Sequence, residues 1–396
     1  MRLYQPSYTV ADIFRSHFNQ YVQNYGPLPL HYYKAANAIM QCRTEQLGGH
    51  IYKCDNCSHE ITLYNSCRNR HCPQCQAMAR AQWVERRMDE ALPVPYFHVV
   101  FTIPHQLNCI ALRNKKPFYQ LLFKAVSETL LTLAQDPKRL GGQIGFIAVL
   151  HTWGQNLMDH PHIHCIVPGG AFRGKENVWK NCKNNFLFPV PVMQKLFRAK
   201  CMDFFRKAID NGTINPMFSV TPDLPTVSAL IQKLYSIKWV VYVKKPFTSP
   251  ENLIKYLSRY THRVAIANHR IINFEHGQVT FSYKDYSDEN KRKTMSVSAV
   301  EFIRRFMLHI LPQGFMRIRQ YGFLSNKAKN KLLPRIRRVI LKTTDYTFGT
   351  IGIKNNTIAD VCNNGILCPV CNKGTLKKDR EVDAVIKDFF TLVAND

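Results

Sequence analysis

The sequence predicts an α+β fold, and three observations carry that reading. Strand-like apolar runs at residues 97–103 (FHVVFTI), 144–153 and 160–168 (the last ending HPHIHCIVP) interleave with a helical pattern at 117–134, so neither period dominates. The last two runs are separated by only a short turn, which antiparallel pairing permits and parallel pairing does not. Hydrophobic residues make up 45% and aromatics 12% of the chain, enough for packed cores and too much for global disorder. At roughly 100–200 residues per domain, 396 residues predict two or three domains.

Residues 1–95 open with an amphipathic, aromatic-rich stretch, pass through a cysteine-dense segment and end in a helical run at 77–92. Pro93 and Pro95 break that helix and mark a boundary. Residues 96–285 hold the mixed pattern: a strand at 97–103, a helix at 117–134, and a hairpin of 144–153 with 160–168. A second hairpin, 271–275 with 278–283, turns at His276-Gly277. Residues 286–396 are expected to form a basic, mainly helical region. Its opening signal is Ser298 and Glu301, at capping-box spacing ahead of Phe302, Ile303, Phe306 and Ile310.

Lys and Arg number 54 against 27 Asp and Glu, a formal net charge of +27. A charge serving solubility alone is roughly 2–8 for a small domain. The excess therefore points to a polyanionic partner, nucleic acid ahead of an anionic membrane. Between Lys291 and Lys342 there are 14 basic residues against one acidic residue, Glu301. Arg304, Arg305, Arg317, Arg319, Arg335, Arg337 and Arg338 in that block are candidates for tracking a DNA backbone. No apolar run approaches the roughly 18–20 residues needed to span a membrane. The first residues, MRLYQPSYTVADIF, lack the apolar stretch and cleavage site of a signal peptide, so a cytoplasmic protein is expected.

Six of the 13 cysteines fall between Cys42 and Cys75, and three between Cys362 and Cys371. In a reducing compartment such clustering reads as metal ligation rather than disulfides. Cys54-x-x-Cys57 and Cys72-x-x-Cys75, fourteen residues apart, are two knuckles able to wrap one structural zinc ion. Each could instead be a redox dithiol, but two at zinc-ribbon spacing argue for metal. Cys67 and His71 are further donors, so a swapped ligand or a second ion is compatible with the spacing. Arg68 and Arg70 between the knuckles are phosphate contacts or merely solvated. Cys368-Pro-Val-Cys371 either completes a second zinc site with residues distant in sequence or is a pair of ordinary thiols.

The central histidines carry the strongest chemical signal. His160, His162 and His164 alternate, and on a strand residues two apart share a face, so His162 and His164 present adjacent imidazoles while Ile163 faces the core. Such a pair binds a divalent ion readily, although paired histidines on a strand are also found as ordinary polar residues. Further on, Ser249 as N-cap and Pro250 at the first position start a helix in which Tyr256 and Tyr260 share one face. Lys255 and Arg259 form a neighbouring basic stripe. Two tyrosines at helical spacing commonly just pack. A phenol also attacks phosphate once deprotonated, and because it ordinarily titrates at about pH 10 it needs a metal or cation to do so at neutral pH.

Five stretches then point to a family: SCRNRHCPQCQ, PYFHVVFTIPH, HPHIHCIVPGG, YLSRYTHR and FMLHILPQGFMRIRQYGFL, in that order. Together they resemble the two-tyrosine HUH transposases of rolling-circle insertion sequences, over about residues 10–375. The resemblance implies an antiparallel ferredoxin/RRM-like HUH domain at residues 96–285, with helices on one face and a zinc-ribbon domain before it. It implies that His162 and His164 hold Mg2+ or Mn2+, which polarises the scissile phosphate. It implies that Tyr256 or Tyr260 attacks, leaving a 5′-phosphotyrosine and a free 3′-OH, while the other tyrosine can engage a second end or the target.

The third metal position is open between Gln155, in the turn, and His151, on the strand expected to pair opposite His164, with His160 behind them. Lys255 and Arg259 either stabilise the phosphate and the phenolate or simply contact DNA. The implied partners are single-stranded DNA at the ends and target of a mobile element, and host helicase or replication machinery, in a prokaryotic nucleoid.

Gly169 to Lys175 (GGAFRGK) fits the GxxxxGK pattern, but Glu176 follows where Ser or Thr would bind magnesium, so ATP hydrolysis is not expected. The rival readings are a replication initiator with the same chemistry, a metal-dependent nuclease that uses water as nucleophile, and a non-catalytic zinc-ribbon DNA binder.

Overall fold

The computed structural model describes residues 7–183, 186–216, 226–247, 265–285, 288–343 and 366–385. Helix α1 (Val10–Tyr25) starts at a complete capping box, in which Thr9 Oγ1 accepts from the Asp12 N–H and the Asp12 carboxylate accepts from the Thr9 N–H. Its apolar stripe, Val10, Ile13, Phe14 and Phe18, packs with α2 (Leu30–Gln41). Strands β1 (Gly49–Cys54) and β2 (Glu60–Tyr64) follow, then α3 (Gln76–Asp89), which ends ahead of Pro93 as the sequence suggests.

The centre of the molecule is one antiparallel sheet. Strand β3 (Tyr96–Thr102) leads through α4 (Asn108–Arg113) and α5 (Lys115–Gln135) into the hairpin of β4 (Gly145–Trp153) and β5 (Asp159–Pro168). A small hairpin, β6 (Gly170–Arg173) with β7 (Val178–Asn181), precedes α6 (Val190–Asp210), α7 (Val227–Ser236) and β8 (Val240–Phe247). Gly170–Arg173 of the GGAFRGK stretch thus lies on β6, with Gly174 and Lys175 in the turn to β7 rather than at a helix N-terminus.

Strands β9 (Ile271–Glu275), β10 (Gln278–Asp285) and β11 (Lys291–Ser298) make a separate meander. His276 and Gly277 both have positive φ, the geometry a tight two-residue hairpin needs. Helix α8 (Ala299–Leu308) starts at Ser298, whose Oγ accepts from the Glu301 N–H. The chain ends with β12 (Ile318–Gly322), α9 (Lys329–Thr343), β13 (Ile366–Leu367) and β14 (Thr375–Val382).

In the central sheet the strand order is β12-β4-β5-β3-β8, every neighbour antiparallel. Alternation sorts the side chains. Ile163, Cys165 and Val167 of β5, with Phe146, Ala148 and Leu150 of β4, enter the core under α5 and α6. The opposite face carries Ile147, Val149 and Ile166, covered by Trp83 of α3 and by Leu333, Ile336 and Ile340 of α9. Helices therefore cover both faces, not one as expected. The reason is that Ile147, Val149, Ile166 and Tyr96 make half of the second face apolar, and α9 buries it.

Among the described residues, the basic C-terminal stretch does not form a mainly helical unit of its own either. Strand β12 pairs with β4, β11 with β10 and β14 with β1, while α8 packs through Phe302, Ile303 and Phe306 against α1. Strand pairing is indifferent to distance along the chain, so these segments complete sheets begun elsewhere.

Candidate metal centre and cysteine clusters

The histidines lie on the same second face, beyond the apolar residues that α3 and α9 cover. His162 and His164 sit on β5, and His151 on β4 is directly opposite His162. Ligand nitrogens of the three rings all lie within 4.8 Å of one another. The expected cross-strand partner of His151 was His164. The hairpin centres at residue 156 rather than 157 or 158, so Val149 stands there instead; a register shift between His151 and Trp153 sets His151 opposite His162, and the three rings share a face because His162 and His164 are two apart.

Burial pushes the pKa of His162 down to about 3 and that of His164 well below the usual imidazole value, so both are neutral at physiological pH, the form that ligates metal. The His162 Nδ1 lies 2.6 Å from the His160 carbonyl, which fixes the tautomer with the proton on Nδ1 and leaves Nε2 for an ion. His160 therefore contributes its backbone. His164 Nδ1 is 2.7 Å from Nε2 of His98 on β3, and the two rings are stacked. Sequence reasoning passed over His98; its signal is a lone imidazole within an apolar strand.

The β4–β5 turn that aligns His151 with His162 is held from outside. Three successive carbonyls accept hydrogen bonds from one neighbouring body: Gln155 from Arg270 at 2.6 Å, Asn156 from Arg305 at 3.2 Å and Leu157 from His309 at 3.0 Å. His309 Nδ1 also meets Thr152 Oγ1 at 3.2 Å. Leu157 itself is fully buried in the core made by α1, α2, α8 and the meander. Gln155, one of the two candidates for the third ligand, is thus anchored by its carbonyl, while His151 is the residue brought beside the histidine pair. Tyr256, Tyr260, Lys255 and Arg259 lie outside the described residues.

The cysteines form two clusters, and the Cys54-Cys57 and Cys72-Cys75 knuckles expected to share one ion are divided between them. Cys42, Cys67, Cys72 and Cys75 bring their sulfurs within 4.8 Å of one another, as do Cys54, Cys57, Cys368 and Cys371. Thus Cys54 and Cys57 do not share a site with Cys72 and Cys75. Strand β14 pairs with β1 and carries the second CxxC to the first, while Cys42 at the end of α2 and Cys67 before the turn close on Cys72 and Cys75. For a metal–sulfur bond of about 2.3 Å, a tetrahedron has edges of roughly 3.8 Å. The Cys67–Cys75 separation is 3.6 Å, and Cys54–Cys371 and Cys57–Cys368 are each 3.7 Å, so both donor sets fit such an ion. His71 is not part of either set: it is buried and its Nε2 accepts from the Leu311 N–H. Cys42 gave no spacing signal beyond its membership of the cysteine-dense segment, and Cys362 lies outside the described residues.

Comparison with known proteins bears on both centres. Residues 145–331 match the family described as putative transposase, and residues 13–103 match the transposase zinc-binding domain. The chain is 44% identical over 373 residues to putative transposase y4qJ of Sinorhizobium fredii, covering 93% of this chain and 94% of that one. This chain belongs to the IS91/IS801 family of rolling-circle transposases. It is also 26% identical over 315 residues to the transposase for insertion sequence element IS801 of Pseudomonas savastanoi pv. phaseolicola, covering 77% of this chain and 73% of that one. No solved structure matches it. The zinc-binding domain and the cysteine clusters together support structural zinc in this transposase. No helix among the described residues is long and apolar enough to cross a membrane.

Most of the transposase's arginines singled out from sequence hold the fold. Arg304 and Arg305 both bind Glu301 at 2.6 Å. Arg337 donates to the carbonyls of Asp89 and Ala91, Arg335 to Asn177 Oδ1, and Arg319 lies over the Phe123 ring. Arg317 is only 8% exposed, and burial lowers its pKa to about 10, so it is an interior cation and not part of a DNA surface. Arg338 is exposed. Arg70, a candidate phosphate contact, instead donates to the carbonyls of Pro312 and Phe315, whereas Arg68 is exposed.

Proposed function

We propose that this transposase nicks and joins single-stranded DNA by tyrosine transesterification at the face of the central sheet that carries His151, His162 and His164. The observation that carries the reading is the set of three imidazoles, His151, His162 and His164, with nitrogens within 4.8 Å, of which burial keeps His162 and His164 neutral. With the β6–β7 hairpin set aside, the strand–helix–strand–strand–helix–strand order of β3 to β8 supports reading residues 96–247 as a ferredoxin/RRM-like HUH domain, with β12 as an added edge strand, whereas β9 and β10, inside the expected bound of 285, belong to the separate meander.

A divalent ion bound there would supply Lewis-acid polarisation of the scissile phosphate. All-nitrogen ligation fits Mn2+ better than Mg2+, which prefers oxygen donors. The protein's own part is to hold the imidazoles neutral and oriented, through the His160 carbonyl and His98, and to present the nucleophile. Tyr256 or Tyr260 supplies it: the phenolate oxygen forms a bond to phosphorus as the bond to the 3′ oxygen breaks, leaving a 5′-phosphotyrosine and a free 3′-OH.

Phe247 closes β8 and Ala265 shares a core with Leu157 at the tip of the histidine hairpin, and Tyr256 and Tyr260 fall between those two residues in sequence. Lys255 and Arg259, in the same connection, would balance charge on the phosphate. Exposed basic residues such as Arg338 and Arg68 would follow the DNA backbone. Strand opening would be left to host helicase or replication machinery, in the cytoplasm at the nucleoid.

The test is a labelled single-stranded oligonucleotide carrying the element's end, incubated with Mn2+ or Mg2+. Wild type should yield a covalent protein–DNA adduct and Tyr256→Phe with Tyr260→Phe should not. An adduct in the double variant, or cleavage to a free 5′-phosphate with no adduct in wild type, would overturn the reading.

A further inference from the structure

The family's zinc-binding domain ends at residue 103 and already contains a complete four-sulfur set, Cys42, Cys67, Cys72 and Cys75. The other set draws half its donors from near the opposite end of the chain. We propose that Cys54, Cys57, Cys368 and Cys371 form a second, independent zinc site that fastens the C-terminal hairpin to the N-terminal one.

Four features of the second set point to a metal rather than to four spare thiols. The first is distance. Cys54 and Cys371 lie 3.7 Å apart across 317 residues of chain, and Cys57 and Cys368 lie 3.7 Å apart across 311. Both separations far exceed the roughly 2.05 Å of a disulfide and match the edge of a zinc–sulfur tetrahedron.

The second is the dressing of the sulfurs. The N–H groups of Asn56 and Cys57 point at Cys54 Sγ, at 3.4 and 3.5 Å, and the N–H of Gly374 points at Cys371 Sγ at 3.3 Å. Each CxxC therefore sits in a tight turn whose backbone donors stabilise thiolate, the state a ligand must be in.

The third is close approach. A Cβ on Gly374 would stand 2.6 Å from Cys54 Sγ, so only glycine lets the second turn close over the first. Asp55 then seals the seam, its carboxylate accepting from the N–H and hydroxyl of Thr375 at 2.8 Å each.

The fourth is the smallness of the local core. Its fully buried members are Cys54, Cys368 and Leu376, too little apolar surface to pin a hairpin, which is the circumstance in which small folds rely on metal. Each set has two buried cysteines, but Cys57 is exposed whereas the other two of the first set, Cys67 and Cys75, are half-buried, so the second ion should be the more easily extracted.

Full-length protein carrying His162→Ala with His164→Ala, so that the histidine centre adds no ion, should contain two zinc ions per chain by native mass spectrometry. Adding Cys368→Ser with Cys371→Ser should leave one and should give faster amide exchange at residues 366–382, with the central sheet unchanged. Wild type loaded with cadmium should give two tetrathiolate NMR signals, a readout that does not depend on a variant's folding. A chelator should remove one equivalent of zinc well before the other. One ion per chain in the histidine-substituted protein, a single tetrathiolate cadmium signal, a disulfide linking these cysteines, or two ions retained after Cys368→Ser and Cys371→Ser are added would overturn the second site.

Discussion

His309 Nε2 lies 3.0 Å from the carbonyl oxygen of Leu157, and this contact ties the end of α8 to the turn on which the histidine hairpin is folded. Burial pushes the pKa of His309 down to about 3, so the neutral ring bridges Leu157 and Thr152, the residue next to His151. With Arg270 and Arg305 it grips three successive carbonyls. The position of His151 relative to His162 is therefore set partly by contacts made at the hairpin turn, away from the imidazoles themselves.

His309→Ala should weaken Mn2+ binding at the histidine triad by about tenfold, the low end of what outer residues of metal sites contribute. His309→Gln, which keeps a donor for the Leu157 carbonyl, should recover part of that loss. Manganese titration followed by electron paramagnetic resonance measures both. Unchanged affinity in a folded His309→Ala protein would show that the contact only adds stability.

The choice of third ligand is directly testable. His151→Ala should remove most Mn2+ affinity and most of the covalent adduct, whereas Gln155→Ala should change either by less than about threefold, since Arg270 grips the Gln155 backbone. The reverse pattern would move the third position to Gln155.

Asp159, at the start of β5, provides a pH signature. Burial raises its carboxyl pKa from 3.8 to about 7, opposed by Lys115. Between those values the folded state holds a proton that the unfolded chain has released, so stability falls as pH rises from about 4 to about 7 and this contribution is flat outside that window. Asp159→Asn should remove that slope. Its stability gain over wild type should grow by roughly 4 kcal/mol at most across the window, read from urea unfolding at several pH values. The buried histidines slope the other way in both proteins and cancel in the comparison.

DNA binding should separate surface cations from interior ones. Arg338→Ala should reduce the slope of log affinity against log salt by about 0.7, the value of one phosphate contact on a single strand. Arg317→Met should leave that slope unchanged, because Arg317 is buried. A smaller slope in Arg317→Met would contradict its placement in the interior.

What the sequence determined by itself was local. The alternation of HPHIH put two imidazoles on one face, the CxxC spacings marked the knuckles, and the helix and hairpin signals at Ser298 and His276-Gly277 held within a residue or two, because periodicity, capping and turn chemistry act over a few residues. Only the tertiary structure decided which distant partner completed each piece. Strand β14 reached β1 and redirected Cys54 and Cys57 to Cys368 and Cys371; a register shift set His151 opposite His162; and Arg317, written in the same basic block as Arg338, went to the interior. Those outcomes depend on which strands pair and which faces an apolar core must cover, and such pairings are set by burial and chain closure across hundreds of residues, which no local pattern records.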